Sequence, residues 1–369
     1  MRGTITKRGK NSWQGKYDLP RDQGKRRQRY ATVTGTYKDA QRELTRLLRS
    51  ADGGTHVDHT RMTLAEYLCS WFDGGHAQSP KTLERYRELS ECQIIPHLGG
   101  TGLQKLRPEH LQRWHRELIE SGLAARTVTN AHKLLHRVLA DAATNGTLAR
   151  NVAEIRRPPK VEEREIEILA PEQIADVLAK LEGHTLFPIV SLALATGMRR
   201  GELLGLQWGD IDLDRGVLRV ERSLEETKAG LRFKPPKTKR GRRNITLPPD
   251  AVAMLRAHKV KQLELRLVLG LGKIEPSTLV LSDVEGEPLK PHTVSRAWQR
   301  VVVAKGLPRV SFHALRHTHA SMLIRASVDI LTISRRLGHS AAAITLDVYG
   351  HLIEGADAAA AKAIEGVLK

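Results

Sequence analysis

Cysteine is nearly missing from this chain. Of 369 residues only Cys69 and Cys92 carry a thiol, and they form no CxxC pair. That excludes a disulfide framework and a thiolate zinc cluster, and the two read as reduced, half-buried residues of a cytoplasmic protein. A long hydrophobic run is also lacking. The most apolar stretch, 186–196, is too short to span a bilayer and is interrupted by Pro188 and Ser191. The N-terminus is charged and has no apolar segment of the kind a secretory signal needs. Aromatic residues make up only 4% of the chain, and acidic residues are outnumbered, 41 against 60 Lys+Arg. The resulting net charge of +19 points to a polyanionic partner, of which nucleic acid is the usual one.

What is present divides into three stretches, expected as domains over 1–55, 62–155 and 165–369. The first carries 14 basic and five acidic residues. Short strand-like runs over 3–7, 12–18 and 27–33 are separated by turn-rich segments, and an amphipathic helix over 38–49 carries Leu44, Leu47 and Leu48. A three-stranded sheet plus one helix with exposed basic strands suits insertion into a DNA groove. Asp52-Gly53-Gly54 reads as a flexible joint, and from Thr63 to about Asn151 the period is helical. Leu64, Tyr67, Leu68, Trp71 and Phe72 fall on one stripe, Ser79-Pro80 and Pro108-Glu109 open further helices, and a fourth runs over 125–144. The expectation is a central four-helix bundle whose aromatics belong to its core. After a charged, proline-containing linker, the last stretch mixes buried helix at 186–196 with strands at 217–223, 231–233 and 244–247. Helices follow at 250–267, 291–304, 313–326, 328–337 and 342–349, with an Ala-rich helix over 353–369. The fold class is therefore multidomain, mainly α with small antiparallel sheets, ending in an α+β domain.

Chemistry concentrates in that last stretch. Tyr349 is the only tyrosine after Tyr86 and stands ten positions after His339 in Leu-Gly-His-Ser. Upstream lie His313-Ala-Leu-Arg316, Lys237 in Pro-Pro-Lys-Thr, and Arg199 in Ala-Thr-Gly-Met-Arg-Arg-Gly-Glu. Cleaving a phosphodiester without a metal needs a nucleophile, positive charge around the non-bridging oxygens, and an acid for the leaving oxygen. Two arginine forks neutralise the developing charge, and His313 and Arg316 at i and i+3 share one helix face.

The order Arg199, Lys237, His313-x-x-Arg316, His339, Tyr349, with its flanking strings, resembles the tyrosine recombinases, specifically the phage-type integrases. The resemblance covers nearly all of 160–360. It implies a C-terminal catalytic domain, preceded by an arm-type and a core-type DNA-binding domain. It further implies that Tyr349 attacks to give a 3′-phosphotyrosyl link, that Arg199, Arg316 and His339 bind the phosphate, that Lys237 protonates the leaving oxygen, and that His313 assists proton transfer. Glu202 is similar to the acidic residue that supports the first arginine in that family, and Gly241 departs from the polar residue expected there. No cofactor or metal is implied. The implied partners are double-stranded DNA attachment sites and a homotetramer on DNA, with an excisionase or host DNA-bending protein as accessory candidates. No membrane is involved, and the expected location is the cytoplasm of a bacterial cell, at the nucleoid.

Several positions have neighbours that compete with them. Arg199 is preferred to Arg200 by the Thr-Gly-x-Arg spacing, and Lys237 to Lys234 and Lys239. His313 and His317 at i and i+4 raise a zinc alternative, but no glutamate fills the base slot of HExxH. Two rival functions share part of the pattern: a DNA-binding regulator without catalysis, and a topoisomerase of type IB chemistry without site specificity.

Overall fold

The computed structural model describes residues 3–22, 25–52, 57, 59–75, 77–162, 167–236, 239–349 and 364–365, and the chain separates into two compact units at residues 163/164. In the first unit, β1 (Gly3–Gly9), β2 (Ser12–Asp22) and β3 (Lys25–Thr34) form an antiparallel sheet in the order β1-β2-β3. The strands run longer than the sequence pattern indicates. β2 continues through Pro20, and the register shifts there between Leu19 and Asp22, as expected where a residue without an amide enters a ladder. α1 (Tyr37–Asp52) lays Leu44 on the sheet against Tyr17, a core too small to hold much more.

The rest of this unit is helical. α2 (Leu64–Asp73) opens on a capping box in which the Glu66 amide donates to Thr63 Oγ1 and the Thr63 amide to Glu66 Oε2. α3 (Pro80–Leu89) runs through a π-helical turn, Ser90–Ile94, into the short α4 (Ile95–Leu98). Pro96 has no amide to return to the preceding turn, which fits the loosened winding. α5 (Pro108–Glu120) and α6 (Ala125–Thr144) complete the bundle at the positions the sequence indicates. Trp71 and Trp114 are buried yet satisfied: their indole N–H groups donate to Asp141 Oδ2 at 2.7 Å and Gln93 O at 2.7 Å. Cys69 and Cys92 are exposed rather than half-buried, because both fall on the outward face of their helices.

The second unit holds α7 (Pro171–Leu181), α8 (Phe187–Thr196) and α9 (Arg200–Leu204). β4 (Ile211–Asp212), β5 (Val217–Val220), β6 (Ser223–Thr227), β7 (Gly230–Lys234) and β8 (Arg243–Thr246) follow. The helices α10 (Pro249–Val268), α11 (Pro291–Ala304), α12 (Ala314–Arg325), α13 (Ile330–Leu337) and α14 (Ala342–Tyr349) come last among the labelled elements. The stretch expected as one strand over 217–223 is broken. β5 belongs to a β4-β5-β8 sheet and β6 to a β6-β7 hairpin. One core, from Leu169 to Leu315, unites helices and sheet, and a smaller one joins Ala320, Ile333, Leu337 and Tyr349. Among the described residues no helix is long and apolar enough to cross a membrane. The Ala-rich segment over 353–369 lies outside the described residues apart from Ile364 and Glu365, which are helical.

In the helical bundle His115 Nε2 and His132 Nδ1 meet at 3.1 Å, and both rings are buried. Burial pushes His132 down to about 4, with His115 and His136 adding to the effect. The unfolded chain takes up a proton near the ordinary value of about 6.5 that the folded ring refuses. Stability is therefore complete above that value and declines as pH falls toward 4, by up to about 1.4 kcal/mol per pH unit for one such group. Hydrogen-exchange protection of α5 and α6, corrected for intrinsic rates, should fall across this window. His132→Gln should flatten the slope, and an unchanged slope would refute the assignment.

Candidate active site

The carboxyl ends of two helices organise the site. A helix leaves its last carbonyls without partners inside the helix and carries partial negative charge there. α8 ends at Gly197 with φ +65°, and α13 ends at Gly338 with φ +67°. Both glycines are required twice over. A Cβ at 197 would stand 2.6 Å from His319 Cδ2, and one at 338 would stand 2.8 Å from Arg243 Nη1. The freed carbonyls take up arginines. Arg316, buried on α12, donates from Nη1 to Gly197 O at 2.6 Å and from Nη2 to Leu337 O at 2.8 Å. Arg199, the N-cap of α9, donates from Nη2 to Gly338 O at 3.0 Å and from Nη1 to Glu202 Oε1 at 2.8 Å. A guanidinium has five N–H donors, so each arginine keeps several for a ligand.

Glu202 joins the two ends. Its carboxylate is 3% exposed and receives Arg199 on one oxygen and Arg243 Nη2, at 2.9 Å, on the other. Burial pushes its acidity weaker, but Arg243 and then Arg199 outweigh that and hold the carboxyl below its ordinary range. Arg243, at the start of β8, also donates to Arg336 O at 2.6 Å and Gly241 O at 3.0 Å. Gly241 lies against Pro236, where a Cβ would collide with the ring, so the expected polar residue has no room.

The histidines and the tyrosine sit around this cationic frame. His313 is the exposed N-cap of α12. Desolvation of its inner edge, then Arg316, Arg199 and Arg200, holds it below the ordinary imidazole value. His339 follows Gly338, and its Nδ1 lies 2.8 Å from Thr345 Oγ1. Burial, then Arg316, Arg199 and Arg243, takes it down to about 4, so it is neutral at physiological pH. Tyr349, at the end of α14, is 2% exposed, and its hydroxyl lies 2.6 Å from His317 Nδ1. Burial pushes the phenol up to about 12, with Arg316 pulling the other way. Arg316 itself is brought down to about 9 by burial and by Arg199, and so remains cationic at neutral pH.

Of the residues singled out from sequence, the structure brings Arg199, His313, Arg316, His339 and Tyr349 into one electrostatic neighbourhood. Arg200 turns away, donating to Ser295 Oγ. Lys237 lies outside the described residues. Lys234, one of its two alternatives, is paired with Glu225 in the β6-β7 hairpin. Sequence reasoning passed over Arg243, Thr345 and the contact of His317 with the tyrosine. Arg243 gave no signal beyond a basic residue at a strand start, whereas His317 could have been found from its position one turn after His313.

Comparison with known proteins adds the wider context. A model described as the phage integrase family matches residues 167–355, and one described as the phage integrase N-terminal SAM-like domain matches residues 63–119. An integrase of Streptomyces ambofaciens is 30% identical over 343 residues, covering 90% of this chain and 88% of that protein. A XerC-like tyrosine recombinase of Caldanaerobacter subterraneus subsp. tengcongensis is 28% identical over 94% of both chains. Among solved structures, the Tn1549 transposon integrase in complex with transposon right end DNA has a TM-score of 0.70 at 21% identity, covering 82% of this chain and 98% of its own. A lambda integrase tetramer bound to a Holliday junction gives 0.58 at 22% identity, covering 94% and 95%.

Removing Arg243 tests the frame. Arg243→Met leaves Glu202 buried with a single cation, a change that costs about 3–5 kcal/mol when a buried pair loses one partner. Chemical denaturation should register a loss of that order. Arg243→Lys should recover only part of it, because one ammonium cannot copy a fork that reaches three acceptors. Wild-type stability in the methionine variant would contradict the role given to this contact.

Proposed function

The chain belongs to the phage integrase family and is a site-specific tyrosine recombinase, and we propose that Tyr349 is its nucleophile. The phenolic oxygen attacks a DNA phosphodiester, forms a 3′-phosphotyrosyl link and releases a 5′-hydroxyl. The observation that carries this reading is the placement of the Tyr349 hydroxyl beside the cluster of Arg316, His317 and His339 in the same chain.

Each neighbour has a task that its surroundings support. Arg316 and Arg199 hold the non-bridging oxygens, their orientation set before substrate arrives by carbonyls and by Glu202. Such preorganised charge is worth more in a water-poor site than in solution, and it needs no rearrangement as the pentacoordinate state forms. His339, neutral and engaged through Nδ1, has Nε2 left to donate to phosphate. Lys237 is the proposed acid for the leaving 5′-oxygen. His313, at the exposed start of α12, is the proposed aid to proton transfer. The phosphotyrosyl ester conserves the energy of the broken bond, so neither a cofactor nor a metal enters the scheme.

The proposed substrates are double-stranded attachment sites of a mobile element such as a prophage or an integrative plasmid. The net charge of +19 supports binding to a polyanion. Exchange of two duplexes requires four cleavages, and a homotetramer on DNA follows from that count. The tetramer of lambda integrase on a Holliday junction supports this by analogy of fold. An excisionase or a host DNA-bending protein is the proposed accessory partner, and the bacterial nucleoid the proposed place of action. The arm-type role of residues 1–55 and the core-type role of 62–155 are parts of the same proposal.

Tyr349→Phe should bind its DNA site as tightly as the parent protein yet yield no SDS-resistant adduct on a nicked duplex. An adduct that persists in this variant would place the nucleophile elsewhere.

A further inference from the structure

The resemblance assigns proton transfer to the first histidine of the set, but the structure puts a different ring on the nucleophile. We propose that His317 is the group that takes the proton from the Tyr349 hydroxyl when that oxygen attacks phosphorus. The proposal rests on Tyr349 being the nucleophile.

Three observations carry it. His317 Nδ1 and the Tyr349 hydroxyl are 2.6 Å apart, within the range of a strong O–H···N hydrogen bond. No hydrogen bond to the His313 ring appears among the described residues, and that ring meets His317 edge-on at a centroid distance of 5.0 Å. His317 also packs directly on the phenol, with ring centroids 5.6 Å apart. Finally, α14 is only eight residues long and begins shortly after His339, so the tyrosine is delivered to His317 within one chain.

The charges around His317 set its protonation. On its own helix stand His313 and Arg316, from α14 comes Tyr349, and at the end of α13 sits His339. Burial first, then His313 and Arg316, lowers His317 to about 4. It is thus unprotonated at neutral pH, with Nδ1 open as an acceptor and the remaining proton on Nε2. In the free protein the phenol keeps its proton, since its own value is pushed up to about 12. A bound phosphodiester changes both sides. Its negative charge offsets the arginines and raises the basicity of His317, while bonding to phosphorus makes the phenolic oxygen far more acidic.

The step balances. The O–H bond of Tyr349 breaks and its proton moves to Nδ1. The Tyr349 O–P bond forms as the P–O5′ bond breaks, and the leaving oxygen takes a proton from the separate acid. In rejoining, the imidazolium returns its proton to the departing phenolate.

The test uses the full chain and a nicked attachment-site duplex, with DNA binding followed by gel shift and adduct formation by SDS gel. His317→Gln keeps a polar group near the hydroxyl but cannot hold the proton. General-base assistance is typically worth about 10²–10⁴-fold. His317→Gln and His317→Ala should therefore both slow adduct formation by about 100-fold or more at pH 7 while binding DNA within about threefold of the parent, a margin well below that effect. The deficit should shrink as pH rises toward 9.5, where hydroxide replaces the missing base, and added imidazole should accelerate the alanine variant. A substrate with sulfur at the 5′ bridging position, whose leaving group needs no acid, should not restore either variant. Parent-like cleavage by His317→Gln, a deficit independent of pH, or recovery on the sulfur substrate would each overturn the proposal. If Tyr349→Phe still forms the adduct, the nucleophile assignment fails first. If only the His317 variants behave like the parent, this inference alone falls.

Discussion

The site depends on carbonyl oxygens that two helices cannot use themselves. α8 and α13 both stop at a glycine in the left-handed region, and the peptide groups they leave behind accept from Arg316 and Arg199. Three arginines in one small volume repel one another, and burial of Arg316 adds a desolvation cost. The arrangement is tenable because each guanidinium meets fixed acceptors, and because Glu202 supplies the one buried negative charge between Arg199 and Arg243. Glycine is demanded at both helix ends for backbone conformation and for space. A local feature of chain geometry thereby governs the electrostatics of the whole centre.

The same frame sets the histidines. Surrounded by cations and withdrawn from water, His317 and His339 stay neutral where an exposed imidazole would be partly charged. In the proposed reaction neutral rings are useful, because His317 can accept a proton and His339 can donate to phosphate without adding repulsion to the arginines. Tyr349 experiences the opposite pull. Its burial opposes ionisation, so the side chain rests as a phenol. The site thus holds a protonated phenol beside neutral imidazoles within a cationic frame.

A second histidine pair, His115 with His132, lies buried in the helical bundle, with Arg156 close enough to act on His115. Nothing about its residue types separates it from the pair at the site. The difference lies in what surrounds it: core leucines, Trp114 and Arg156 rather than Arg199, Arg243, Arg316 and the phenol of Tyr349.

Much of the fold was legible in sequence because its periods are strong. The apolar stripe from Leu64 to Phe72, the prolines at 80 and 108, and the apolar stripe over 125–144 mark helices from local sequence alone. The ordered Arg, His, Arg, His and Tyr positions were also visible, since motif spacing survives without coordinates. The break between β5 and β6 was not, because the two halves read as one strand until separate partners, β8 and β7, divide them. Nor could sequence place Arg243 on Glu202 or the Tyr349 hydroxyl on His317. Those contacts span 41 and 32 residues, and no local propensity encodes which side chains long chain closure will bring within hydrogen-bonding reach. The sequence by itself determined which groups are available for chemistry. Tertiary packing alone decided which of them touch, because burial and neighbouring charge exist only once the helices have met.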